Sequence, residues 1–339
     1  MENIMEQLGQ PETADQSRAN DIAIPDPGTS TFLDLEGIAR CEAYIDANRQ
    51  AHPVDILRNG ITTASNVAVV GADGYLFIGN GANNWEAQFH GKEKPEWNWA
   101  RKWTKLFEER RKRAEREKIQ LINFILPEKQ ILLPHKRWPE ANYELGRNRP
   151  MRRLLESIRQ DARLLYPEQE LKEAAATAPI YSRHDSHWSV FGCCIAMKAL
   201  LHEIGGTPPF SKLRLAVTRC SMPRDLVIHF FNTPLAEDTL RLNYNGVRDE
   251  YNEQPERTGH FNGTYYRLYN QNAPDKRRIA VFGDSYSFTE GVTHVLSAVF
   301  ETVVFLWSKN IDWDLIAQQN IDIAVWEHAE RFMITVAEE

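Results

Sequence analysis

The sequence predicts an α/β fold in which a parallel sheet is flanked by helices on both faces. Three apolar runs, in RRIAVFGDS, ETVVFLWS and IDIAVWEH, lie between residues 277 and 328 and are separated by helical patterns. A fourth run, QLINFIL, ends just before Pro127. Short continuous apolar runs that alternate with helices are typical of parallel strands that are covered on both faces.

The elements before the fourth run are predicted from spacing and composition. Residues 1–30 are polar and rich in Pro, Asp and Ser, which indicates a mobile tail. Helical spacing follows over 32–50, two short strands surround a Gly-Ala-Asp-Gly turn at 67–80, and a long helix covers about 97–118. The basic cluster at 109–118 alternates in sign, which favours the solvated face of that helix over a phosphate-binding patch.

Two more helices and an extended segment are predicted in the middle of the chain. The spacing of apolar residues predicts an amphipathic helix over 151–166, and residues 180–188 are expected to be extended. The next helix begins after Ser189, a suitable cap, and ends on the Gly205-Gly206 pair.

The segment 207–275 differs from the rest of the chain because it is polar and holds only short strand-like pieces. We interpret it as an insert or cap. Strand periodicity returns after it, with helices at 289–300 and 313–319 as connections. We therefore predict one domain over 31–339, interrupted by this polar insert.

Composition restricts the classes of function. The chain of 339 residues, 42% of them hydrophobic, is long enough for one large core or two ordinary ones. Its formal net charge of −7 argues against nucleic acid and anionic membranes as partners. The adjacent Cys193 and Cys194 lie in an apolar helical run and are expected to be core residues. No cysteine and histidine spacing predicts a metal site.

The segment Gly283-Asp284-Ser285 leaves a predicted buried strand and opens a helix. Functional groups gather at the carboxyl ends of parallel strands, and the start of a helix favours developing negative charge. Ser285 therefore fits an acyl-transfer nucleophile whose own N–H stabilises the oxyanion. The alternative is that Asp284 or Ser285 is only a helix N-cap.

The candidate base lies in the segment YSRHDSHWSVFG. Asp185 and His187 are two residues apart in an extended stretch, so their side chains are expected on the same side. A carboxylate beside a histidine orients the imidazole and stabilises the imidazolium. Two alternatives stay open: His187 is a structural residue packed under Trp188, or His184 and His187 bind a metal, for which no third ligand is evident.

Together these motifs resemble the SGNH/GDSL hydrolase-like superfamily, and more narrowly the alginate O-acetyltransferase branch of bacterial polysaccharide O-acetyltransferases. In that branch Asp-x-His-Trp precedes Gly-Asp-Ser, a circularly permuted motif order relative to ordinary SGNH hydrolases, and the same order occurs here. Three further segments resemble family elements: DGYLFIG at 73–79, LPEKQILLP at 126–134 and DIAVWEHAERFM at 322–333.

The resemblance implies a catalytic triad of Ser285, His187 and Asp185. It also implies that the Ser285 strand is the first of the sheet, followed by TVVFLWS and IDIAVW, with QLINFIL later. The superfamily carries oxyanion-binding Gly and Asn after its second and third strands, where this chain has 308–310 and 327–331, and the usual Asn is missing. Candidates for oxyanion or substrate binding are Gly283, Asn310, Arg331 and Trp188. Arg331 fits an ion pair at a helix end equally well.

The function predicted from these motifs is an O-acyltransferase that moves an acetyl group to a saccharide or glycan hydroxyl through an acyl-serine. An esterase or deacetylase with the same triad is the first alternative, because both reactions pass through the same acyl-enzyme. A non-catalytic carbohydrate-binding protein on this fold is the second. Aromatic residues that can stack on sugars or serve as core are Trp85, Trp97, Trp99 and Trp188.

The expected partners are a saccharide acceptor and an acyl donor, either acetyl-CoA or an acyl-relay protein, with no cofactor or metal required. The N-terminus lacks an apolar signal segment, and no apolar run reaches the ~20 residues of a membrane helix. If the chain is complete, we expect it in the cytoplasm. A trimmed signal would place it in the periplasm, where the family acts on exported polysaccharide.

Overall fold

The strands that carry the candidate site belong to one central sheet. The structure is a computed structural model that describes residues 24–139, 146–158, 163–253, 263–288 and 291–337. The strands in these ranges are β1 (Ser30–Leu33), β2 (Ala68–Val70), β3 (Leu76–Ile78), β4 (Gln120–Leu126), β5 (Leu164–Leu165), β6 (Leu215–Pro223), β7 (Ala236–Leu242), β8 (Val247–Glu253), β9 (Thr264–Tyr269), β10 (Asp275–Gly283), β11 (Phe300–Trp307) and β12 (Ile323–Ala329).

Five neighbouring strands of the central sheet are parallel, in the order β5-β4-β12-β10-β11, and β9 and β8 extend the sheet antiparallel beyond β11. Counted from β10, the parallel strands follow the doubly wound order 2-1-3-4-5. Gly283 pairs with Trp307, and Phe282 pairs with Trp326. The carboxyl ends of β10, β11 and β12 therefore lie side by side, at the edge where such sheets carry their sites.

Helices cover the central sheet on both sides. The α-helices in the described ranges are α1 (Leu35–Ala47), α2 (Trp85–Phe89), α3 (Trp99–Glu117), α4 (Lys129–Leu132), α5 (Pro134–Arg137), α6 (Pro150–Ser157), α7 (Glu168–Ala174), α8 (Val190–Ile204), α9 (Ile228–Phe231), α10 (Ser285–Phe288), α11 (Val292–Val299) and α12 (Trp313–Gln318). In the described ranges, no helix combines the length and the apolar character needed to cross a bilayer.

Alternating side chains of the strands supply two separate cores. Val281 packs into a core shared with α1, α8 and α11, and the next residue, Phe282, packs into a core shared with α3, α6 and α12. Cys193 and Cys194 are fully buried in the first of these cores, as predicted. The predicted arrangement, a mostly parallel sheet with helices on both faces, is confirmed.

The strands of the segment 207–275 belong to two sheets, and the interpretation of this segment as an insert or cap stays a prediction, with its residues 254–262 outside the described residues. Its strands β6 and β7 form a three-stranded antiparallel sheet with β1, whereas β8 and β9 join the central sheet. The inward side chains of β9, among them Tyr265, Tyr266 and Leu268, are at most 1% exposed. The adjacent Tyr265 and Tyr266 pack into the two different cores on opposite faces of the sheet, and the polar composition of the flanking residues concealed this strand.

The helix predicted over 151–166 is shorter than expected. α6 ends at Ser157 because Ile158 has an extended backbone (φ −84°, ψ 140°), and Leu164 pairs with Asn123 as part of β5. Residues 159–162 of that prediction lie outside the described residues, as do 1–23 of the predicted tail and 289–290 of the predicted helix at 289–300.

The basic cluster on α3 is mostly the solvated helix face that the alternating charges predicted. Arg111 lies 2.6 Å from Glu115 in one of several i,i+4 ion pairs along the helix. Arg110 is the exception, because it is 2% exposed and its guanidinium lies 4.3 Å from the centre of the Trp326 ring. A buried cation-π contact thus joins the helix to the sheet, next to Trp103, whose ring packs on Trp326 at 5.5 Å.

Candidate active site

The turn that leaves β10 needs a glycine for steric reasons. A Cβ on Gly283 would lie 2.6 Å from Glu327 Oε2 and 2.8 Å from Ser287 Oγ, closer than real Cβ atoms approach other atoms. Without a side chain, the strand end passes directly over these polar groups, and Ser285 follows as the first residue of α10. The predicted contribution of Gly283 to the oxyanion stays a prediction.

Asp284 holds this turn in place. Its Oδ1 accepts the Tyr286 N–H (3.0 Å), and its Oδ2 accepts the Ala329 N–H at the end of β12 (3.0 Å). Asp284 therefore performs the capping role that the sequence left open between Asp284 and Ser285. The Ser285 hydroxyl is directed to a histidine instead.

Ser285, His187 and Asp185 form a continuous chain of hydrogen bonds. His187 Nε2 lies 2.7 Å from Ser285 Oγ, and His187 Nδ1 lies 2.7 Å from Asp185 Oδ1. The same Asp185 oxygen accepts the backbone N–H of His187 at 2.9 Å. Although burial acts to raise the pKa of Asp185, the hydrogen bonds and charge of His187 hold it below the ordinary value. An ionised Asp185 keeps the proton on Nδ1 and leaves Nε2 free to accept the serine proton.

This geometry suits nucleophilic catalysis. The Nε2 to Oγ distance is within the reach that proton transfer requires, and the base is in turn oriented by a third group. As Ser285 attacks a carbonyl, His187 can take its proton, and Asp185 can stabilise the imidazolium that forms.

Two aromatic rings, those of Trp188 and Tyr286, pack below the histidine. Trp188 is 2% exposed and meets the Tyr286 ring edge-on at 5.0 Å, and Tyr286 packs against His187 at 4.7 Å. Tyr286 Oη also donates to Ser186 O at 2.9 Å. Of the two roles considered for Trp188, contact with a sugar or packing in the core, the structure shows the ring packed in the core beneath the site.

The other tryptophans considered for sugar stacking differ in exposure. Trp85 and Trp99 are buried at 0% and 2% exposure, and the Trp99 indole N–H donates to Met333 O (2.9 Å). Trp97 is 91% exposed. Of the four tryptophans named from the sequence, Trp97 alone presents its ring to solvent.

Arg331 lies in a buried ion pair. Its Nη1 is 2.7 Å from Glu128 Oε1, which follows β4, and Arg331 itself is 7% exposed. Burial raises the pKa of Glu128, and Arg331 opposes that shift. The preceding Glu330 is likewise paired with Arg149 at 2.7 Å. Of the two interpretations of Arg331, the structure shows the ion pair, which joins the ends of β12 and β4.

Asn310 lies in the loop after β11, beside the nucleophile turn. This loop is attached to the turn by the Ser308 N–H, which donates to Gly283 O at 3.2 Å. Ser308 Oγ in turn accepts the Asn310 N–H at 3.1 Å. Asn310 Oδ1 is buried and has no hydrogen-bond partner among the described residues. Its role as a second oxyanion donor stays a prediction.

A buried lysine that the sequence did not single out organises the histidine loop. Lys129 is 1% exposed, and its Nζ contacts four backbone oxygens: Leu76 (2.7 Å), Ser182 (2.6 Å), Arg183 (2.8 Å) and Asp185 (3.0 Å). Burial lowers its pKa to about 7, and Asp185 opposes that shift. The ammonium joins the β2–β3 hairpin to the loop before His187. The only sequence signal was LPEKQILLP, which resembled a family element without indicating this contact.

Replacement of Lys129 by methionine is expected to destabilise the protein by about 3 kcal/mol, because four buried carbonyls lose a charged donor. Urea unfolding of the two proteins measures the difference. Lys136→Met is the matched control, since Lys136 is 29% exposed and its ion pair with Asp73 should contribute about 1 kcal/mol or less. Equal losses in the two variants would contradict the organising role.

Glu327 is a buried carboxyl group directly under the nucleophile turn. It is fully buried, and its Oε2 accepts hydrogen bonds from Ser287 Oγ and, at 3.4 Å, from the Asp284 N–H. Burial, and then the Asp284 carboxylate, raise the pKa of Glu327 well above its ordinary value of 4.5. The folded protein therefore favours the neutral acid at this position.

This raised pKa predicts a pH-dependent stability. The contribution of Glu327 is present in full below about pH 4.5 and is lost as pH rises toward the folded pKa, with a slope of about 1.4 kcal/mol per pH unit. Glu327→Gln should remove that slope, so the free energy of unfolding of the variant should increase relative to that of the wild type as pH rises. Urea unfolding at several pH values tests this. Glu301→Gln, at an ion pair of 2.9 Å with Lys276, is the control and should retain the slope.

His184 does not share a site with His187. Its Nδ1 lies 2.6 Å from Glu237 Oε2, and its ring packs against His52 at 4.2 Å. Asp185, His187 and Asp225 do place one polar atom each within 4.8 Å of one another. We assign no metal to them, because His187 Nδ1 carries the proton that it shares with Asp185.

The fold and the site together define a mixed α/β protein with a hydrogen-bonded Ser-His-Asp chain at the carboxyl edge of its sheet. No protein-family model matches the sequence, and no curated protein sequence matches it. Among solved structures, the chain is similar to PatB1 from Bacillus cereus with a sulfonyl adduct (TM-score 0.57, 12% identity, 80% of this chain and 96% of that one). It is similar to a second PatB1 structure (TM-score 0.56, 12% identity, 80% and 98%). The O-acetyltransferase domain of Pseudomonas putida AlgJ gives a TM-score of 0.49 at 17% identity, over 80% and 93% of the chains.

At 12% identity, the likeness to PatB1 concerns the fold. The predicted resemblance is therefore confirmed as a fold that this chain shares with PatB1. Activity and substrate have to be argued from the site of this chain.

Proposed function

We propose that the protein is an O-acyltransferase, acting as an O-acetyltransferase on a saccharide or glycan hydroxyl through an acyl-serine intermediate. The observation that carries this proposal is the chain from Ser285 Oγ to His187 Nε2 and from His187 Nδ1 to Asp185, with both distances at 2.7 Å. Binding of a carbohydrate alone does not require a serine, a histidine and an aspartate in such a hydrogen-bonded chain. It is built for attack by a serine on a carbonyl.

The first half of the reaction acylates the serine. Ser285 Oγ attacks the carbonyl carbon of the donor as its proton passes to His187 Nε2, and the Ser285 N–H at the start of α10 stabilises the oxyanion. The tetrahedral intermediate then collapses. The bond to the donor's leaving group breaks, and that group takes the proton from His187.

The second half transfers the acyl group. The acceptor hydroxyl gives its proton to His187 and attacks the acyl-serine, the Ser285 ester bond breaks, and Oγ recovers a proton from His187. We propose acetyl-CoA or an acyl-carrying protein as the donor. Water in place of the acceptor would give ester hydrolysis by the same residues.

Support for transfer rather than hydrolysis comes from the motif set. The order of Asp-x-His-Trp before Gly-Asp-Ser resembles the polysaccharide O-acetyltransferase branch, and the fold matches that of PatB1 over 80% of this chain. Trp97, with its ring 91% exposed, is the candidate among the named tryptophans for contact with a sugar.

The test is a product analysis with an acetyl donor labelled in the acetyl group, in the presence and absence of a saccharide acceptor. We expect label on the saccharide and a labelled Ser285 peptide when the acceptor is omitted. Label released only as acetate at an equal rate with and without acceptor would identify an esterase. A protein that binds saccharide but never acquires label would identify a carbohydrate-binding protein.

A further inference from the structure

A second carboxylate approaches the imidazole of the candidate base. Asp225 follows β6, in the segment that the sequence predicted to be an insert, and its Oδ2 lies 3.7 Å from His187 Nδ1. This separation is too long for a hydrogen bond, but it is short enough for a strong attraction between a carboxylate and a protonated imidazole. The Asp225 side chain is 39% exposed, so it faces solvent on its other side.

Hydrogen bonds hold Asp225 in this position from both directions. Its Oδ1 accepts the Ser186 N–H at 2.8 Å, and its Oδ2 accepts the Ser186 hydroxyl at 2.5 Å. The Asp225 N–H donates to Asp185 Oδ2 at 3.2 Å. The second carboxylate is therefore attached both to the residue before His187 and to the other oxygen of the candidate triad aspartate.

Other charged and titratable groups lie near Asp225 and His187, and each makes contacts of its own. Arg224 lies 4.0 Å from Asp185 Oδ2 and donates to Glu237 at 2.8 Å. Other neighbours of the pair are Lys129, whose Nζ contacts backbone oxygens, and Tyr286, whose hydroxyl donates to Ser186 O. None of these contacts replaces the approach of Asp225 to His187.

The charge of Asp225 depends on that of His187. Partial burial and the Asp185 carboxylate raise the pKa of Asp225, whereas a positive charge on His187 lowers it. Asp225 therefore ionises most readily when His187 is protonated. That is the state in which the imidazole has just received the serine proton.

We propose that Asp225 is a positioning residue for the reaction, a second carboxylate that favours the imidazolium form of His187 while Ser285 is being acylated. The inference rests on the proposed function, because it assigns Asp225 to the same Ser285 chemistry. It also gives the segment 207–275 a part in the reaction that the sequence did not indicate.

The experiment measures how fast a sulfonyl fluoride labels Ser285 as a function of pH, with a chelator present. In this reaction Ser285 Oγ forms a bond to sulfur, the S–F bond breaks, fluoride leaves and the serine proton passes to His187. The variants are Asp225→Asn and Asp225→Ser. The control is Asp238→Asn, a carboxylate of similar exposure (38%) that pairs with Arg219 at 2.5 Å.

We expect both neutral Asp225 variants to move the acid limb of the labelling profile to lower pH by about 0.5–1 unit and to slow labelling at the plateau by about threefold to tenfold. The limb moves down because an imidazolium without its second counter-charge loses its proton more easily. Asp238→Asn should leave both quantities unchanged. In an Asp185→Asn background, where Asp225 is the carboxylate that still approaches His187, Asp225→Asn should slow the labelling of Ser285 by a larger factor than it does in the wild type.

The outcomes separate this inference from the proposed function. A wild-type protein whose Ser285 is never labelled would overturn the proposed function. Labelling of Ser285 with an unmoved acid limb in both Asp225 variants would overturn the role of Asp225 alone. Loss of labelling together with a collapsed thermal midpoint in both variants would show that Asp225 serves the fold, and would also overturn it.

Discussion

Replacement of Ser285 by alanine is expected to abolish turnover of an activated acetyl ester, with a loss of kcat on the order of 10⁴–10⁶. The covalent route disappears with Oγ, and general-base help from His187 alone is worth only about 10²–10⁴. The fold should survive, because the turn is held by Asp284, whose two bonds of 3.0 Å involve backbone N–H groups that the change does not touch.

The measurement is steady-state hydrolysis of the ester, with circular dichroism and the thermal midpoint recorded on the same preparation. Ser65→Ala, at an exposed serine, is the matched control and should behave as the wild type. Hydrolysis at the wild-type rate by a folded Ser285→Ala protein would place the activity elsewhere in the molecule.

Asp185→Asn is expected to keep the shape of the site but lower kcat on the order of 10⁴. Asparagine presents an amide to His187 Nδ1, whose proton Asp185 Oδ1 now accepts at 2.7 Å, so the imidazole is held in the wrong tautomer. If Asp185 served only the loop, the same change would lower stability by about 1 kcal/mol or less and leave kcat nearly unchanged, because asparagine also caps well.

The two roles of Asp185 differ in which quantity changes, so kcat and the thermal midpoint have to be measured together. Asp185 also accepts backbone N–H groups from His187 (2.9 Å) and Asp225 (3.2 Å), which leads us to expect a modest fall in the midpoint as well. A variant with near wild-type kcat would rule out the triad role of Asp185, whatever its midpoint does.

The parts of the fold and site that sequence reasoning predicted are encoded in contiguous residues. The apolar run before Gly283 predicts a buried strand, and the residues that follow it predict a turn at the carboxyl edge of the sheet. Asp185 and His187 do lie together, but the extended segment predicted around them is wrong, because residues 183–187 form a bent loop closed by the bridge between Tyr181 and Trp188. Their partnership comes from a turn in which Asp185 Oδ1 accepts the backbone N–H of His187 at 2.9 Å and lies 2.7 Å from its Nδ1. Ser285 and His187 are 98 residues apart, and their expected meeting depended on the family resemblance.

The parts that were missed depend on contacts between distant segments. Lys129 reaches carbonyls 53 to 56 residues away, and a lone lysine after a strand gives no sign that backbone oxygens converge on it. Asp225 was hidden in a segment whose composition looked like a surface cap. Trp188 was considered for ligand contact because the sequence around a catalytic motif does not show whether a neighbouring aromatic ring faces solvent or the core.

The close approach of the nucleophile turn to Glu327 also limits how related sequences can diverge. A methyl group at Gly283 would collide with the Glu327 carboxyl at 2.6 Å, so a larger residue at position 283 requires a shorter one at position 327. Natural variation at these two positions, 44 residues apart, should therefore be correlated. A laboratory selection for alanine at position 283 should recover its first compensating changes at Glu327 or at Ser287, whose Oγ lies 2.8 Å from the same point.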